Sequence, residues 1–194
     1  MILNSWNKIW KNKTYWVENE PSNNIYYFYN YHLKNLKKGS KILDCGCGNG
    51  RNFNFLNKKG FDVYGTDISK SIILKNKKRF KKNQSKFFIG DIKEINFKKN
   101  FFESIVSDAS IYYQSKNRIF ETIEEFYRIL KKKGTIRIYT KSIYDNYYFD
   151  HKRRKSFEHV VKNKHWENGL LITFLNKNDI IKIFKKFTRV QIGI

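Results

Sequence analysis

The segment best suited to chemistry is rich in glycine and reads Asp44-Cys45-Gly46-Cys47-Gly48-Asn49-Gly50-Arg51-Asn52. Three alternate glycines allow the backbone to turn sharply while a ligand packs against it without interference from Cβ atoms. A dinucleotide fingerprint, G-x-G-x-x-G, would need glycine at position 51, where this chain has Arg51. The carboxylate of Asp44 would repel a pyrophosphate, and it favours a cationic group instead. The segment therefore predicts a ligand that carries a positive charge near the turn.

Two further carboxylates follow predicted strands. Asp67 lies 21 residues after Gly46, at the end of the second strand, where a carboxylate suits the hydroxyls of a ribose. Asp91 follows the third strand and could accept a hydrogen bond from an exocyclic amine. Taken singly, each of these two aspartates is explained as well by capping the next helix. Taken together with Asp44, they favour a nucleoside with a positively charged, amine-bearing tail.

Alternating strands and helices position these residues. Strands are predicted over 41–45, 61–66, 86–89, 101–107 and 135–140. Helices are predicted over 52–59, 69–82 and 178–186, and along an apolar stripe from Ile119 to Leu130 that ends at Gly134. Strands and helices that alternate at this spacing predict a parallel sheet covered on both faces, with ligands at the carboxyl ends of its strands.

Over residues 40 to 140 the sequence resembles the class I S-adenosylmethionine-dependent methyltransferases, of the small, single-domain, small-molecule type. The resemblance implies one α/β domain over 1–194 with a doubly wound, mostly parallel sheet. It also implies an N-terminal helical cap over 1–37 and a substrate-side insert over 141–170. Only 188–194 remain after the last predicted helix, so we expect six strands, with the terminal strand missing or a partner subunit covering the open edge.

The resemblance also implies residue roles in binding S-adenosylmethionine and its product S-adenosylhomocysteine. The glycine segment would hold the methionine portion, and the aspartates after the second and third strands would hold the adenosine, each with an isoleucine beside the ring. The segment after the fourth strand would face the sulfonium. An aromatic residue of the N-terminal segment could cover that charge, whereas Trp6 and Trp10 are assigned to core packing. The implied cofactor-binding residues are Tyr15, Trp16, Asp44, Gly46, Cys47, Gly48, Gly50, Asn52, Asp67, Ile68, Asp91, Ile92, Asp108 and Ala109.

Methyl transfer needs a general base only if the acceptor must lose a proton. Candidates for contact with the reacting groups are Asp108, Tyr112, Tyr113 and His151. No metal is expected, because the visible carboxylates are assigned to the cofactor. The insert is rich in tyrosine and contains the basic run from Lys152 to Lys155, which favours a small acceptor that is acidic or phosphorylated.

The net charge of +23, from 40 Lys and Arg against 17 Asp and Glu, suggests nucleic acid as a secondary partner. The chain is also rich in Asn, Ile, Phe and Tyr, which together with Lys are encoded by A/T-rich codons, so composition alone could explain the charge. Two alternatives to a small-molecule enzyme stay open: an RNA-directed methyltransferase and a non-catalytic module that binds S-adenosylmethionine. Pro21 is the one proline, which disfavours the base-methylating classes that use Pro-Pro-Tyr or Pro-Cys motifs.

Composition also bounds the setting of the protein. Cys45 and Cys47 are too close for a structural disulfide, and they are interpreted as packing residues. No apolar stretch approaches the ~20 residues needed to cross a bilayer. We therefore expect a cytoplasmic protein without a membrane partner.

Overall fold

The computed structural model describes residues 2–12, 20–144, 157–162 and 167–193. The helices are α1 (Ile2–Asn12), α2 (Asn23–Phe28) with a π turn (Tyr29–Leu33), α3 (Arg51–Lys58), α4 (Lys70–Arg79) with a 3-10 segment (Lys81–Lys86), a 3-10 turn (Ile111–Tyr113), α5 (Lys116–Ile129) and α6 (Lys177–Ile183). The strands are β1 (Lys41–Cys45), β2 (Asp62–Asp67), β3 (Phe87–Ile89), β4 (Phe102–Ser107), β5 (Leu130–Ile138), β6 (Lys141–Ser142), β7 (Glu158–Val160) and β8 (Leu171–Leu175).

Five strands form one parallel sheet in the order β3-β2-β1-β4-β5. The chain winds outward in one direction from β1 to β3 and in the other from β4 to β5. The connections after β1 and β4 therefore diverge, and a crevice opens between them at the carboxyl ends of these strands. The predicted doubly wound α/β fold is confirmed.

Helices cover both faces of this sheet. On one face Phe53 and Leu56 of α3 pack with Ile73 of α4 and with α2 in a fully buried cluster. On the other face Ile123 and Phe126 of α5 pack against the strands, and α6 joins them. Burying these apolar side chains is the main stabilisation of the sheet, at about 25 cal/mol per Å² of apolar surface removed from water.

The main sheet has five strands within the described residues, so the prediction of six is wrong for this part of the chain. After β5 the backbone leaves strand geometry at Tyr139 and Thr140, so β8 does not pair with β5. Instead β8 pairs with β6 and β7 in a second sheet of three strands. Residues 188–193, the predicted last strand, are largely exposed and form no strand. The α5 helix also ends before Gly134, because Leu130 already pairs with Phe102 as the first residue of β5.

The predicted N-terminal helix is present as α1, which is anchored to the start of α4. The side-chain oxygen of Asn7 accepts hydrogen bonds from the Ser69 hydroxyl (3.0 Å) and the Ser71 backbone N–H (3.2 Å). These bonds hold α1 across the carboxyl edge of the sheet. Among the described helices, none combines the length and the apolar character that crossing a membrane requires.

Candidate cofactor site

A cavity of about 430 Å³ lies at the carboxyl ends of β1 to β4, beneath α1. This volume is in the range of small-molecule sites. Eight of the residues predicted for the site line the cavity together with five others. The lining residues are Trp6, Trp10, Gly46, Gly48, Asp67, Ile68, Asp91, Ile92, Ala109, Ser110, Tyr113, Gln114 and Arg118.

The glycine turn forms the floor of the cavity. Gly46 has a φ of +71°, and a Cβ atom added there would lie 2.3 Å from the Cβ of Ser110. Gly48 has a φ of +50°, and an added Cβ would lie 3.1 Å from the ring of Trp10. Both positions thus need glycine for backbone conformation and for space. A side chain at either position would push the wall into the space a ligand would use.

Asp67 ties the glycine turn to the second strand. One carboxylate oxygen accepts from the Gly48 N–H at 3.0 Å, and the other accepts from the Ser69 N–H at 2.9 Å. Burial raises the pKa of Asp67 to about 6, and these two N–H donors oppose the rise. Each ionised oxygen can accept a second hydrogen bond. Asp67 therefore has a fixed orientation and remaining acceptor capacity on the cavity wall.

Asp91 is held from two sides. One oxygen accepts from the Lys93 N–H at 3.2 Å, and the other forms a salt bridge with the guanidinium of Arg118 from α5. Arg118 also lines the cavity, and sequence analysis missed it. Its position 27 residues after Asp91 gives no local signal. The salt bridge fixes the orientation of the carboxylate that was predicted to meet an exocyclic amine.

Asp44 lies beneath the turn and does not line the cavity. It is 1% exposed, and one oxygen accepts from the Phe53 N–H of α3 at 3.0 Å. Burial, helped by the nearby charge of Asp108, raises the pKa of Asp44 to about 7. Asp108 itself faces Arg51, with 3.5 Å between the charged groups. Where Asp44 is ionised, its negative charge thus acts on the turn from below.

The other predicted residues have mixed positions. The structure places Cys47, Gly50, Asn52 and Tyr112 next to the turn or behind the wall, outside the set that lines the cavity. Tyr15, Trp16 and His151 lie outside the described residues.

The aromatic wall comes from α1. Trp6 and Trp10, which sequence analysis assigned to core packing, line the cavity, and the ring of Trp10 lies against Gly48 of the glycine turn. The ring of Trp6 meets that of Tyr113 edge to face, with 4.9 Å between centroids. The i, i+4 spacing of Trp6 and Trp10 indicates that they share one face of a helix. The sequence does not indicate what that face covers.

Tyr113 lines the cavity beside Trp6. Its hydroxyl donates to Glu167 at 2.6 Å, and the Tyr112 hydroxyl donates to that of Tyr113 at 3.4 Å. Burial is the largest cause that raises the pKa values of both phenols above their ordinary value. Both side chains therefore hold their protons near neutral pH and act as hydrogen-bond donors.

A second cavity, of about 330 Å³, lies between β5 and the segment after α6. Ile136, Ile138, Phe184 and Val190 are among its lining residues, and no carboxylate is among those that the structure describes. It holds none of the predicted cofactor-binding residues, so the chemistry is concentrated in the first cavity.

The first cavity fits S-adenosylmethionine in its donor set. Asp67 offers acceptors for ribose hydroxyls, and Asp91 offers one for an adenine amine. The aromatic faces of Trp6 and Trp10 suit a sulfonium cation. The glycine turn leaves the space that Cβ atoms would fill.

Comparison with known proteins agrees with this fit. The model of a family described as methyltransferase domain matches residues 42–134. The chain is 33% identical over 107 residues to a tRNA (carboxymethyluridine(34)-5-O)-methyltransferase of Arabidopsis thaliana, covering 55% of this chain and 25% of that protein. It is 32% identical over 108 residues to a phosphoethanolamine N-methyltransferase of Plasmodium falciparum, covering 53% of this chain and 40% of that protein.

The fold has solved counterparts. The PH0226 protein from Pyrococcus horikoshii OT3 superposes with a TM-score of 0.71 at 20% identity, covering 92% of this chain and 88% of that one. The match in sequence spans less than half the length of the curated relatives. The glycine turn, the aspartates, the sheet order and the family model agree, and residues 42–134 form a class I S-adenosylmethionine-dependent methyltransferase domain.

Proposed function

We propose that this protein binds S-adenosylmethionine in the cavity beneath α1 and transfers its methyl group to a small acceptor. The observation that carries the proposal is the convergence of the glycine turn, Asp67, Asp91 and two tryptophans on one cavity. The glycine turn and the two aspartates follow three successive strands, and each offers what a different part of the cofactor needs.

The same wall disfavours a dinucleotide. A pyrophosphate against the glycine turn would lie close to Asp67 and above Asp44, two carboxylates with no cationic partner among the ion pairs of the described residues. Repulsion between like charges is strong where water is excluded. A cationic sulfonium and ammonium would instead be attracted.

When bound, the cofactor supplies an activated methyl group, so the protein mainly has to align the acceptor. Asp67 and Asp91 would hold the adenosine, and the glycine turn would hold the amino-acid portion. Trp6, Trp10 and Tyr113 would exclude water from the reacting atoms. The ring of Tyr113, held by the hydrogen bond that its hydroxyl donates to Glu167, would form the wall on the acceptor side.

We propose an acceptor that is small and carries an acidic or phosphate group. The relative from Plasmodium falciparum is named for such a molecule, phosphoethanolamine. The basic run from Lys152 to Lys155, which lies outside the described residues, is the sequence feature that favours a negatively charged acceptor.

An RNA-directed methyltransferase is the second candidate, because the relative from Arabidopsis thaliana is named for tRNA. Release of S-adenosylhomocysteine would be compared between a panel of small phosphorylated and carboxylated amines and a total tRNA preparation. Turnover with tRNA alone would favour the second candidate. Tight cofactor binding with no turnover on either would favour a non-catalytic module.

Calorimetric titration with S-adenosylmethionine tests the cofactor site. We expect wild-type protein to bind and Asp67→Ala to bind more than about tenfold more weakly, since a charge-assisted hydrogen bond contributes about 1.5 to 3 kcal/mol. Asp67→Asn keeps the shape of the side chain and should show a smaller loss.

Asp62→Ala is the matched control, because this aspartate begins the same strand and pairs with Lys86 at 2.8 Å, away from the cavity. It should bind the cofactor as the wild type does. Unchanged affinity in Asp67→Ala, or binding of NAD in preference to S-adenosylmethionine, would contradict the proposal.

A further inference from the structure

Charge is distributed unevenly along the chain. Residues 21–90 contain 15 Lys and Arg against three Asp, whereas residues 91–144 contain 11 against seven Asp and Glu. Asp44 and Asp67 are buried, so Asp62 is the one carboxylate of 21–90 that reaches the surface, and it pairs with Lys86. A lysine-rich composition explains many lysines everywhere. It does not explain why carboxylates are scarce in one part.

These residues form one continuous surface. The helices between 21 and 90 cover the same face of the sheet, with α3 in the middle. Tyr26 of α2 contacts Phe55 of α3, with 4.7 Å between ring centroids. On the other side, Asn83 of the 3-10 segment donates to Asn57 of α3 at 3.3 Å. We call the exposed side of α2, the π turn, α3, α4 and the 3-10 segment the basic face.

Two tyrosines project from the basic face. Tyr27 is 49% exposed and Tyr31 is 69% exposed. Their rings lie 4.3 Å apart between centroids, tilted by 31°. The hydroxyl of the neighbouring Tyr26 donates to Glu20 at 2.8 Å. Exposed aromatic rings on a surface that also carries lysines are the combination on which unpaired bases stack while the phosphates meet cations.

We propose that the basic face binds single-stranded RNA. Lys78, Lys81 and Lys82, all exposed, would neutralise phosphates, and Tyr27 and Tyr31 would stack on bases. Leu74 is the one aliphatic residue of α4 that is strongly exposed, whereas an anionic membrane requires a helix face with several apolar residues to insert. The name of the Arabidopsis thaliana relative favours RNA as the nucleic acid.

The basic face reaches the rim of the cofactor cavity. The Lys75 ammonium donates to the Trp10 carbonyl oxygen at 2.5 Å, and the Arg79 guanidinium donates to the Asn49 carbonyl oxygen of the glycine turn at 3.4 Å. RNA on this face would therefore lie beside α1. The proposal goes beyond the proposed function and does not depend on it, because it concerns where the protein docks and not which atom it methylates.

Fluorescence anisotropy with a labelled single-stranded RNA of about 15 nucleotides, the length one binding module can occupy, tests the proposal. We expect the triple variant Lys78→Ser, Lys81→Ser, Lys82→Ser to bind about tenfold more weakly. The slope of log affinity against log salt concentration should fall by about 2, since each lost phosphate contact of a single strand contributes about 0.7. The matched control is Lys98→Ser, Lys99→Ser, Lys132→Ser, which removes the same charge from exposed positions outside the face.

Tyr27→Ala with Tyr31→Ala tests the stacking separately. This variant should also bind about tenfold more weakly, but with an unchanged salt slope, because stacking releases no counterions. Tyr27→Phe with Tyr31→Phe keeps the rings and should retain wild-type affinity. Thermal melting of each variant checks that the fold is intact.

Three results would overturn the proposal: equal losses in the two lysine variants, no loss in the Tyr27→Ala, Tyr31→Ala variant, or binding of phosphatidylserine vesicles as tight as that of RNA. Titration of the same variants with S-adenosylmethionine should give wild-type affinity. A failure of RNA binding is thereby separated from a failure of the cofactor site.

Discussion

We call the part of the cavity around the glycine turn and Asp67 the cofactor half, and the part around Tyr113 the acceptor half. The contacts that build these two halves span very different separations along the chain. Around β1 and β2, Asp67 reaches a backbone N–H 19 residues away and another two residues away, and Asp44 reaches one nine residues away. Beyond β4, Tyr113 reaches Glu167 across 54 residues, and Thr173 reaches the Gln114 carbonyl oxygen across 59. The carboxylates at the ends of β1 and β2 are thus oriented by contacts close in sequence, whereas the wall around Tyr113 exists only once distant segments pack.

Gly46 of the glycine turn packs against Ser110, which follows β4. Gly46→Ala should therefore lower both the stability of the fold and the affinity for the cofactor. The added Cβ would lie 2.3 Å from that of Ser110. We expect the free energy of unfolding to fall by about 2 to 5 kcal/mol, from about 1 to 2 kcal/mol of left-handed strain and about 1 to 3 kcal/mol of overpacking. Cofactor binding should weaken more than in Asp67→Ala. Urea unfolding and calorimetry would measure the two effects.

Gly39→Ala is the control for strain alone. Gly39 has a φ of +79° and no atom within 4 Å of an added Cβ. Gly39→Ala should lower the free energy of unfolding by about 1 to 2 kcal/mol and leave cofactor affinity unchanged. If the two variants lost equal stability and both kept wild-type cofactor affinity, the contact between Gly46 and Ser110 would not contribute to the site.

Asp44→Asn tests the cofactor half through the pH dependence of protein stability. Burial raises the folded-state pKa of Asp44 from 3.8 to about 7. A raised pKa means that the folded protein binds the proton more tightly than the unfolded chain, so this carboxyl destabilises the fold as pH rises from about 4 to about 7. The stability of Asp44→Asn relative to wild type should therefore increase by about 2 kcal/mol between pH 5 and pH 8.

Urea unfolding at the two pH values would measure that difference, with Asp62→Asn as a control at the surface. A difference that stays constant with pH would mean that Asp44 titrates as an ordinary carboxyl. Asp67, with its pKa raised to about 6, should show the same sign over a narrower range.

Tyr113→Phe should have the smallest effect, and should confine it to the acceptor half. Losing the hydrogen bond to Glu167 should cost about 1 kcal/mol of stability. Cofactor affinity should stay within about twofold of wild type, a change of about 0.4 kcal/mol, because phenylalanine keeps the ring that lines the cavity. A loss of affinity as large as that of Asp67→Ala would show that the two halves are not separable.

Sequence reasoning was strongest where chemistry and periodicity act locally. It predicted β1 at its observed bounds and β2, β3 and β4 to within one residue at each end, whereas β5 begins at Leu130 and not at the predicted residue 135. The predicted Asp67, Asp91, Gly46 and Gly48 all line the cavity, because residues directly after parallel strands lie at one edge of the sheet. It missed β7 and β8, although the apolar run from Leu171 to Leu175 ends at Asn176, which caps α6.

The amino-acid sequence by itself determined the alternation of strands and helices, the turn at 46–50 and the acids at its edge, since these depend on neighbours along the chain. Tertiary structure alone decided that Trp6 and Trp10 form a cavity wall, that Arg118 holds Asp91, and that β8 leaves the main sheet. Such pairings are chosen by the sum of many weak contacts between distant segments. No single residue type in the sequence predicts such pairings.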